Sequence, residues 1–387
     1  MNNSRLKDVT MILITHDRSH FLARSLAYYS EMNAACKIII ADSSGSKHAA
    51  ENKVLVEKFN SCGLDIEYRH LEDANKEVDA LAHFLSCAIK VVDAANLVTT
   101  PYTLLAPDDD FFILDAIEKS IQFLDENVDY VCCQGRQIEF FLKRRLANND
   151  FIWKPLLPFR LPEARSDDPV ERLHYMLERY KDAYYAVYRT NAFRRIFGEI
   201  QRCPLDVIFV EALHRALAGI LGKTKVLDVL YFIRQSASDS NSMGFDHSQL
   251  LYKNLFQKMC LVHEVIGRWL CEYGGVERER AETLAHFYTN RFVNWKPDWA
   301  VVPPVAVPIS RFKSYIKHLL PAKSIAWINQ RRSWIRERYE KKIQRKLLVK
   351  QYSKLLGMYP IQFMKIRELV IKSDIVVPIN TDRWKEL

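Results

Sequence analysis

The first third of the chain alternates short apolar runs with longer amphipathic stretches. Residues 9–16 are a β-like apolar run that ends in the polar cluster Thr15, His16, Asp17 and Arg18. Residues 21–32 place Phe21, Leu22, Leu26 and Tyr29 on one helical face. The run 36–41 predicts a second strand, closed by Asp42, Ser43, Ser44 and Gly45. Residues 48–61 read as a helix, and 64–71 as a third strand in which Glu67 and Arg69 alternate with apolar neighbours. A long helix is predicted over about 76–94, followed by a strand from Tyr102 that stops at Pro107, which cannot continue a ladder. Strand and helix alternate four times, which predicts βαβ units and a mostly parallel sheet with helices on both faces.

Later patterning is less regular. Helices are predicted over 115–127 and 168–180, strands over 129–136, 183–189 and 225–234, and a Pro-containing loop after residue 136. Asp206 stands where it would N-cap an apolar helix ending near Gly219. From Leu250 the spacing of Phe256, Met259, Val262, His263 and Ile266 is helical, and 301–308, with three prolines, reads as a linker. The pattern divides the chain into an α/β domain over 1–249, a helical extension over 250–300 and a helical C-terminal region over 301–387.

Charge changes the picture of that last region. The chain of 387 residues carries a formal +9, yet residues 311–354 hold 14 Lys/Arg against only Glu337 and Glu340. That segment is therefore +12 and the remainder −3. Interleaved Trp327, Trp334, Ile and Leu give it the character of an interfacial helix on an anionic membrane surface. A solvated basic helix and a helix packed on protein are the competing readings. No nucleic-acid motif accompanies the charge. Eight scattered cysteines follow no zinc or disulfide spacing, no apolar run is long enough to span a bilayer, and the polar N-terminus lacks a signal-peptide core. These features predict a cytoplasmic protein, peripheral at the inner membrane face; a homo-oligomer is left open.

The candidate chemistry sits at strand ends. In an open α/β sheet the C-terminal strand ends share one edge, where ligands bind. Thr15, His16, Asp17, Arg18, Asp42 and the run Asp108, Asp109, Asp110 would converge there. Mg²⁺ or Mn²⁺ takes one or two carboxylates and completes its shell with phosphates and water; an acidic turn or helix cap is the plainer reading of the run. No GxGxxG follows the first strand and no GxxxxGK[ST] occurs, which argues against dinucleotide-binding and P-loop folds.

Residues 9–18, 38–44 and 104–111 together resemble a GT-A glycosyltransferase of the family-two type, over roughly residues 8–240. The resemblance implies a nucleotide-sugar donor, a glycan or lipid-linked acceptor, a divalent metal and an inverting transfer. It places nucleotide contacts on Thr15, His16, Asp17, Arg18 and Asp42, and diphosphate contacts on Asp108. It places metal ligands on Asp108 and Asp110, with His247 a candidate third. Beside these, Asp109 within the acidic run is a further donor-site candidate, and Arg234 could steady the diphosphate by charge-assisted hydrogen bonds. The family's base is a carboxylate at a helix start before a glycine; Asp206 fits that spacing best and Glu211 is the alternative. The chain departs from the family at His16, where an aromatic is common, and at Leu205, where Glu usually precedes Asp. A nucleotidyltransferase would want a Gly- and Lys-rich loop, but residues 15–25 contain neither. A non-catalytic scaffold would have no need of the acidic run.

Overall fold

The computed structural model describes residues 4–71, 80–144, 151–156, 163–178, 183–205, 207–235, 254–293 and 358–372. These residues belong to one compact unit. Its centre is a nine-stranded sheet in the order β3-β2-β1-β4-β8-β6-β9-β5, with β7 beside β6.

The four strands of the first half are β1 (Val9–Thr15), β2 (Lys37–Asp42), β3 (Asp65–His70) and β4 (Tyr102–Pro107). They pair in parallel. β1, β2 and β4 are buried along almost their whole length, which is why each reads as a continuous apolar run. β3 is the edge strand and alternates in burial, as Glu67 and Arg69 suggest. Helices α1 (Ser19–Glu31), α2 (Ser46–Ser61) and α3 (Ala80–Leu97) make the crossovers. Chain order runs from β1 outward to β2 and β3, then returns to β4 on the other side of β1. The C-terminal ends of β1 and β4 therefore flank a topological switch point, the place where such sheets open a ligand crevice.

The second half completes a mixed sheet. β5 (Phe111–Phe112) pairs antiparallel with β9 (Lys223–Gln235), and β8 (Val187–Arg189) lies antiparallel between β4 and β6 (Tyr130–Arg144). The Pro-containing loop expected after residue 136 is instead the long continuation of β6, paired antiparallel with β7 (Phe151–Leu156). Pro155 is accommodated because β7 adds onto β6 alone, at an edge. Gly135 marks an irregularity in the β6–β9 register; a Cβ there would lie 2.6 Å from the Val229 carbonyl oxygen.

Helices α4 (Leu114–Glu126), α5 (Pro169–Glu178), α6 (Thr190–Gln201) and α7 (Val207–Leu221) cover the second half. Arg172 closes the end of α7 by donating to the carbonyls of Gly219 and Ile220. The helical extension is the pair Leu255–Glu272 and Arg278–Val293. It is tied to α6 through Glu199, which accepts from Arg268 at 2.5 Å and from the indole of Trp269 at 3.2 Å. One further helix, Pro360–Lys372, lies within the sequence region 301–387 but packs on α1 in the sheet-containing unit. Among the described residues no helix is long and apolar enough to cross a membrane.

The core includes a buried imidazole. His214 on α7 is fully buried, with ring centroids 4.8 Å from Tyr184, 5.4 Å from Phe197 and 5.5 Å from Tyr188. Neither ring nitrogen has a hydrogen-bond partner. Burial pulls its pKa down to about 3, with Arg215 acting in the same direction. A folded pKa below the unfolded value means that acid favours the unfolded chain. Stability is complete above the unfolded pKa of about 6.5 and falls by about 1.4 kcal/mol per pH unit below it. Thermal melts of His214→Phe from pH 7 to 5 should accordingly show a shallower acid decline than the native chain, by about 2 kcal/mol at pH 5.

Candidate functional site

The acidic run occupies the turn between β4 and β5. Asp108, Asp109 and Asp110 are 3%, 7% and 2% exposed, so these are interior carboxylates and not a solvated acidic turn. Buried charges of one sign need partners, and α1 supplies most of them. Its face Arg24, Ser25 and Tyr28 reaches the backbone of the turn. Ser25 Oγ donates to the Asp108 carbonyl at 2.6 Å, Arg24 Nη2 to the Asp109 carbonyl at 2.8 Å, and Tyr28 Oη to the Phe112 carbonyl at 2.9 Å. Arg24 Nη1 also donates to Gln235 Oε1 at 2.7 Å, at the end of β9. The Gln235 N–H in turn donates to Asp110 Oδ1 at 2.8 Å.

The side chains of the run face cations. Arg18 lies over the Phe21 ring, donates from Nη2 to Asp109 Oδ2 at 2.7 Å, and has Nη1 3.4 Å from Asp108 Oδ1. Thr15 Oγ1 donates to Asp108 Oδ2 at 2.7 Å, bridging β1 and β4 across the switch point. Lys90 on α3, 2% exposed, donates to the Thr15 carbonyl at 2.9 Å and to Ser43 Oγ at 3.0 Å. Burial pushes the Asp108 carboxyl up to about 6, against the opposing pull of Arg18 and Lys90. Burial likewise pulls Arg24 down to about 10, and the three carboxylates oppose that shift. Three carboxylates are thus met by Arg18, Arg24 and Lys90.

The neighbouring strand ends form a second network. Asp42 is completely buried. It accepts from the Ser44 N–H at 2.7 Å, Asn52 Nδ2 at 2.8 Å and Tyr68 Oη at 2.6 Å. Burial raises its pKa, but these hydrogen bonds outweigh that effect and hold it below the usual carboxylate value. His16 Nδ1 donates to the Ser43 carbonyl at 2.9 Å, and His70 Nε2 to the Ser44 carbonyl at 2.8 Å. Asp17 adopts φ 53°, a left-handed conformation that Asp accepts more readily than most residues, and its Oδ1 receives the Gly45 N–H at 2.8 Å. The turn 42–45 is therefore clasped from β1, α2 and β3.

On the acceptor side, Glu211 lies in the first half of α7. Burial raises its pKa, while Arg215 and Arg234 oppose the rise, which brings Arg234 at the end of β9 close to this carboxylate. Asp206 and His247, the sequence candidates for base and third metal ligand, lie outside the described residues, as does 311–354.

The structure thus brings Thr15, Arg18 and the acidic run together, with His16, Asp17 and Asp42 beside them, and groups Glu211 with Arg234. Sequence reasoning missed Arg24, Ser25, Tyr28, Lys90 and Gln235. Arg24, Ser25 and Tyr28 continue the helical spacing of Phe21, so polar residues on a predicted apolar face were the available signal.

Among the described residues no three His, Cys, Asp or Glu side chains converge on a metal position by themselves. Mg²⁺ and Mn²⁺ do not require that, since one or two carboxylates and a diphosphate suffice. The carboxylate oxygens of the run are the hard donors such an ion takes, so the donor chemistry fits.

No protein-family model matches the chain, and no curated protein matches it in sequence. Solved structures do resemble it. S. aureus TarS 1–349 in complex with UDP-GlcNAc gives a TM-score of 0.48 at 13% identity, over 75% of this chain and 73% of that one. The longer S. aureus TarS chain gives 0.45 at 13% identity, over 75% of this chain; the match spans 44% of the TarS length. The mannosyltransferase PcManGT from Pyrobaculum calidifontis, in complex with GDP-Man and Mn²⁺, gives 0.41 at 11% identity, over 90% and 87% of the two chains.

The Asp42 network has a consequence that can be measured without ligand. Asp42→Asn places an amide where three donors converge and should destabilise the apoprotein by about 1–3 kcal/mol. The lost stability is of the kind present above the unfolded carboxylate pKa and lost as pH falls through the depressed folded one. Chemical denaturation at pH 7 and at about pH 3, below the unfolded carboxylate pKa, should show the native and variant proteins drawing together in acid.

Proposed function

We propose that the chain is a metal-dependent glycosyltransferase that moves a sugar from a nucleotide-sugar donor to a glycan or lipid-linked acceptor. The observation that carries this reading is the buried acidic run at the switch point, with Arg18, Arg24 and Lys90 around it. A neutral ligand would not need such an arrangement. A nucleoside diphosphate with its cation meets both signs of charge at once: carboxylates for the ion, and Arg18 for phosphate oxygens by charge-assisted hydrogen bonds.

Asp110 and Asp108 are the proposed ligands of Mn²⁺ or Mg²⁺, with His247 a third; the ion supplies charge stabilisation for the departing diphosphate. Thr15, His16, Asp17 and Arg18 line the donor side. Asp42 acts by holding the 42–45 turn. Arg24 holds the acidic turn through the Asp109 carbonyl and Gln235. Arg234, near Glu211, is a second cation for the diphosphate. Transfer needs a carboxylate to take the acceptor hydroxyl proton as that oxygen attacks the anomeric carbon. Asp206 keeps that role from the family resemblance. Glu211 is the described alternative, a buried carboxylate whose pKa burial raises against the pull of Arg215 and Arg234. Inversion at the anomeric carbon and a role in surface polysaccharide synthesis follow from the same resemblance.

The tests separate these roles. Binding or slow hydrolysis across a panel of UDP- and GDP-sugars with Mn²⁺ should single out a donor, and EDTA should abolish it. Asp110→Ala should reduce turnover by at least about a hundredfold with circular dichroism unchanged, as loss of transition-state charge stabilisation commonly does. Full activity in EDTA or in Asp110→Ala would overturn metal dependence. Asp206→Asn and Glu211→Gln compared at saturating donor should identify the base as the variant that loses kcat.

The basic segment 311–354 is proposed to meet the anionic membrane face. Full-length protein should co-sediment with anionic but not neutral vesicles, with partial release by salt, because screening acts on the charges and not on the buried aromatic face. Replacing the Lys and Arg residues of 311–354 with Gln should abolish co-sedimentation; retention at native levels would point to a protein partner.

A further inference from the structure

Helix α4 begins just after β5, and the Ile113 carbonyl serves the N–H groups of Ala116 and Ile117 but not that of Leu114. Its N-cap, Ile113, offers no side-chain cap, and the N–H of Leu114, at the first helical position, has no carbonyl of the helix to donate to, so it needs an acceptor from elsewhere. That acceptor comes from 248 positions away. Gln362, on the helix Pro360–Lys372, places Oε1 3.0 Å from the Leu114 nitrogen. The same oxygen lies 3.2 Å from Tyr28 Oη, whose single proton is shared between it and the nearer Phe112 carbonyl. Because Leu114 N–H can only donate, the amide oxygen must face it, and this fixes the orientation of the Gln362 side chain.

The rest of that helix is built for this contact. Ile366 and Val370 are 0% and 1% exposed, Lys365 forms an ion pair with Glu31 at the end of α1, and Lys119 of α4 donates to Tyr359 Oη at 3.0 Å. The helix therefore straddles α1 and α4. These are the two elements between which the acidic turn is strung: α1 holds the carbonyls of Asp108, Asp109 and Phe112, and α4 begins two residues after Phe112.

We propose that Gln362 is a positioning residue for the acidic turn, acting through Leu114 and Tyr28. The helix Pro360–Lys372 would then be part of the donor-site framework rather than of a separable C-terminal region. The claim that this affects donor binding rests on the glycosyltransferase reading; the claim that it fixes the turn does not. The geometry calls for an acceptor and nothing else at Oε1. Gln362→Glu should therefore keep the function, since a carboxylate accepts both donors and is favoured at a helix N-terminus. Gln362→Leu keeps the bulk and loses the acceptor.

The experiment uses the full chain in three forms, native, Gln362→Leu and Gln362→Glu, with Ile361→Ala as a surface control on the same helix. Hydrogen exchange is followed by mass spectrometry, and binding of UDP and GDP with Mn²⁺ by calorimetry. Gln362→Leu should speed exchange in 108–116 by about tenfold, the scale expected when a buried amide loses its acceptor. Exchange in β1 and β2 should stay at native rates. Nucleotide affinity should fall by a similar factor in Gln362→Leu, and both properties should return in Gln362→Glu. Native exchange in 108–116 of Gln362→Leu, an equal rise across the whole sheet, or a Gln362→Glu protein as impaired as Gln362→Leu would each overturn the proposal. If the native protein binds neither nucleotide, the donor reading fails, and the exchange measurement alone decides the positioning role.

Discussion

Three adjacent carboxylates at less than a tenth exposure impose the constraint on which the site depends. Their mutual repulsion and lost hydration must be offset by groups fixed in place before any ligand arrives. The chain does this from three directions. α1 contributes two guanidinium groups and a row of donors to the turn backbone, α3 contributes Lys90, and the end of β9 contributes the Gln235 amide. The order of the strands makes this possible, because β1 and β4 are neighbours only where chain order reverses. Thr15 spans that junction with one hydrogen bond to Asp108.

The same constraint accounts for features that have no direct place in chemistry. Arg24 stacks over Phe21 and Phe111 because a guanidinium at this depth needs its flat faces covered by rings. Asp42, at the next strand end, is occupied by internal donors, which hold the 42–45 turn in place beside the acidic run. The clasp of Asp17 on Gly45 and of both histidines on the Ser43 and Ser44 carbonyls holds the same turn from two further sides. A preorganised polar surface of this kind suits a charged ligand, because little reorganisation is left to be done on binding.

What could be read from the amino-acid order divides along physical lines. β1, β2 and β4 were visible because strands covered on both faces must be apolar throughout, and the acidic run was visible because nothing else in the chain resembles it. Arg24 and Lys90 were not, since single cations inside a helix are ordinarily solvated and only tertiary context buries them. The β6–β7 hairpin was hidden by Pro155, which an edge position tolerates. The docking of Pro360–Lys372 depends on a contact between residues 248 positions apart, and no local pattern encodes such a pairing. The base and third-ligand candidates, Asp206 and His247, fall outside the described residues and still rest on resemblance.

On the proposed function, the acidic run and its surrounding cations receive a diphosphate together with a divalent ion. The most direct measurement is a crystal structure of the full chain with a nucleoside diphosphate and Mn²⁺, with data collected at the manganese edge. An anomalous peak is expected within coordinating distance of Asp110 and of a diphosphate oxygen, with the nucleoside between the C-terminal ends of β1 and β2. A nucleotide bound elsewhere, or bound there with no manganese at the acidic run, would contradict the proposed function.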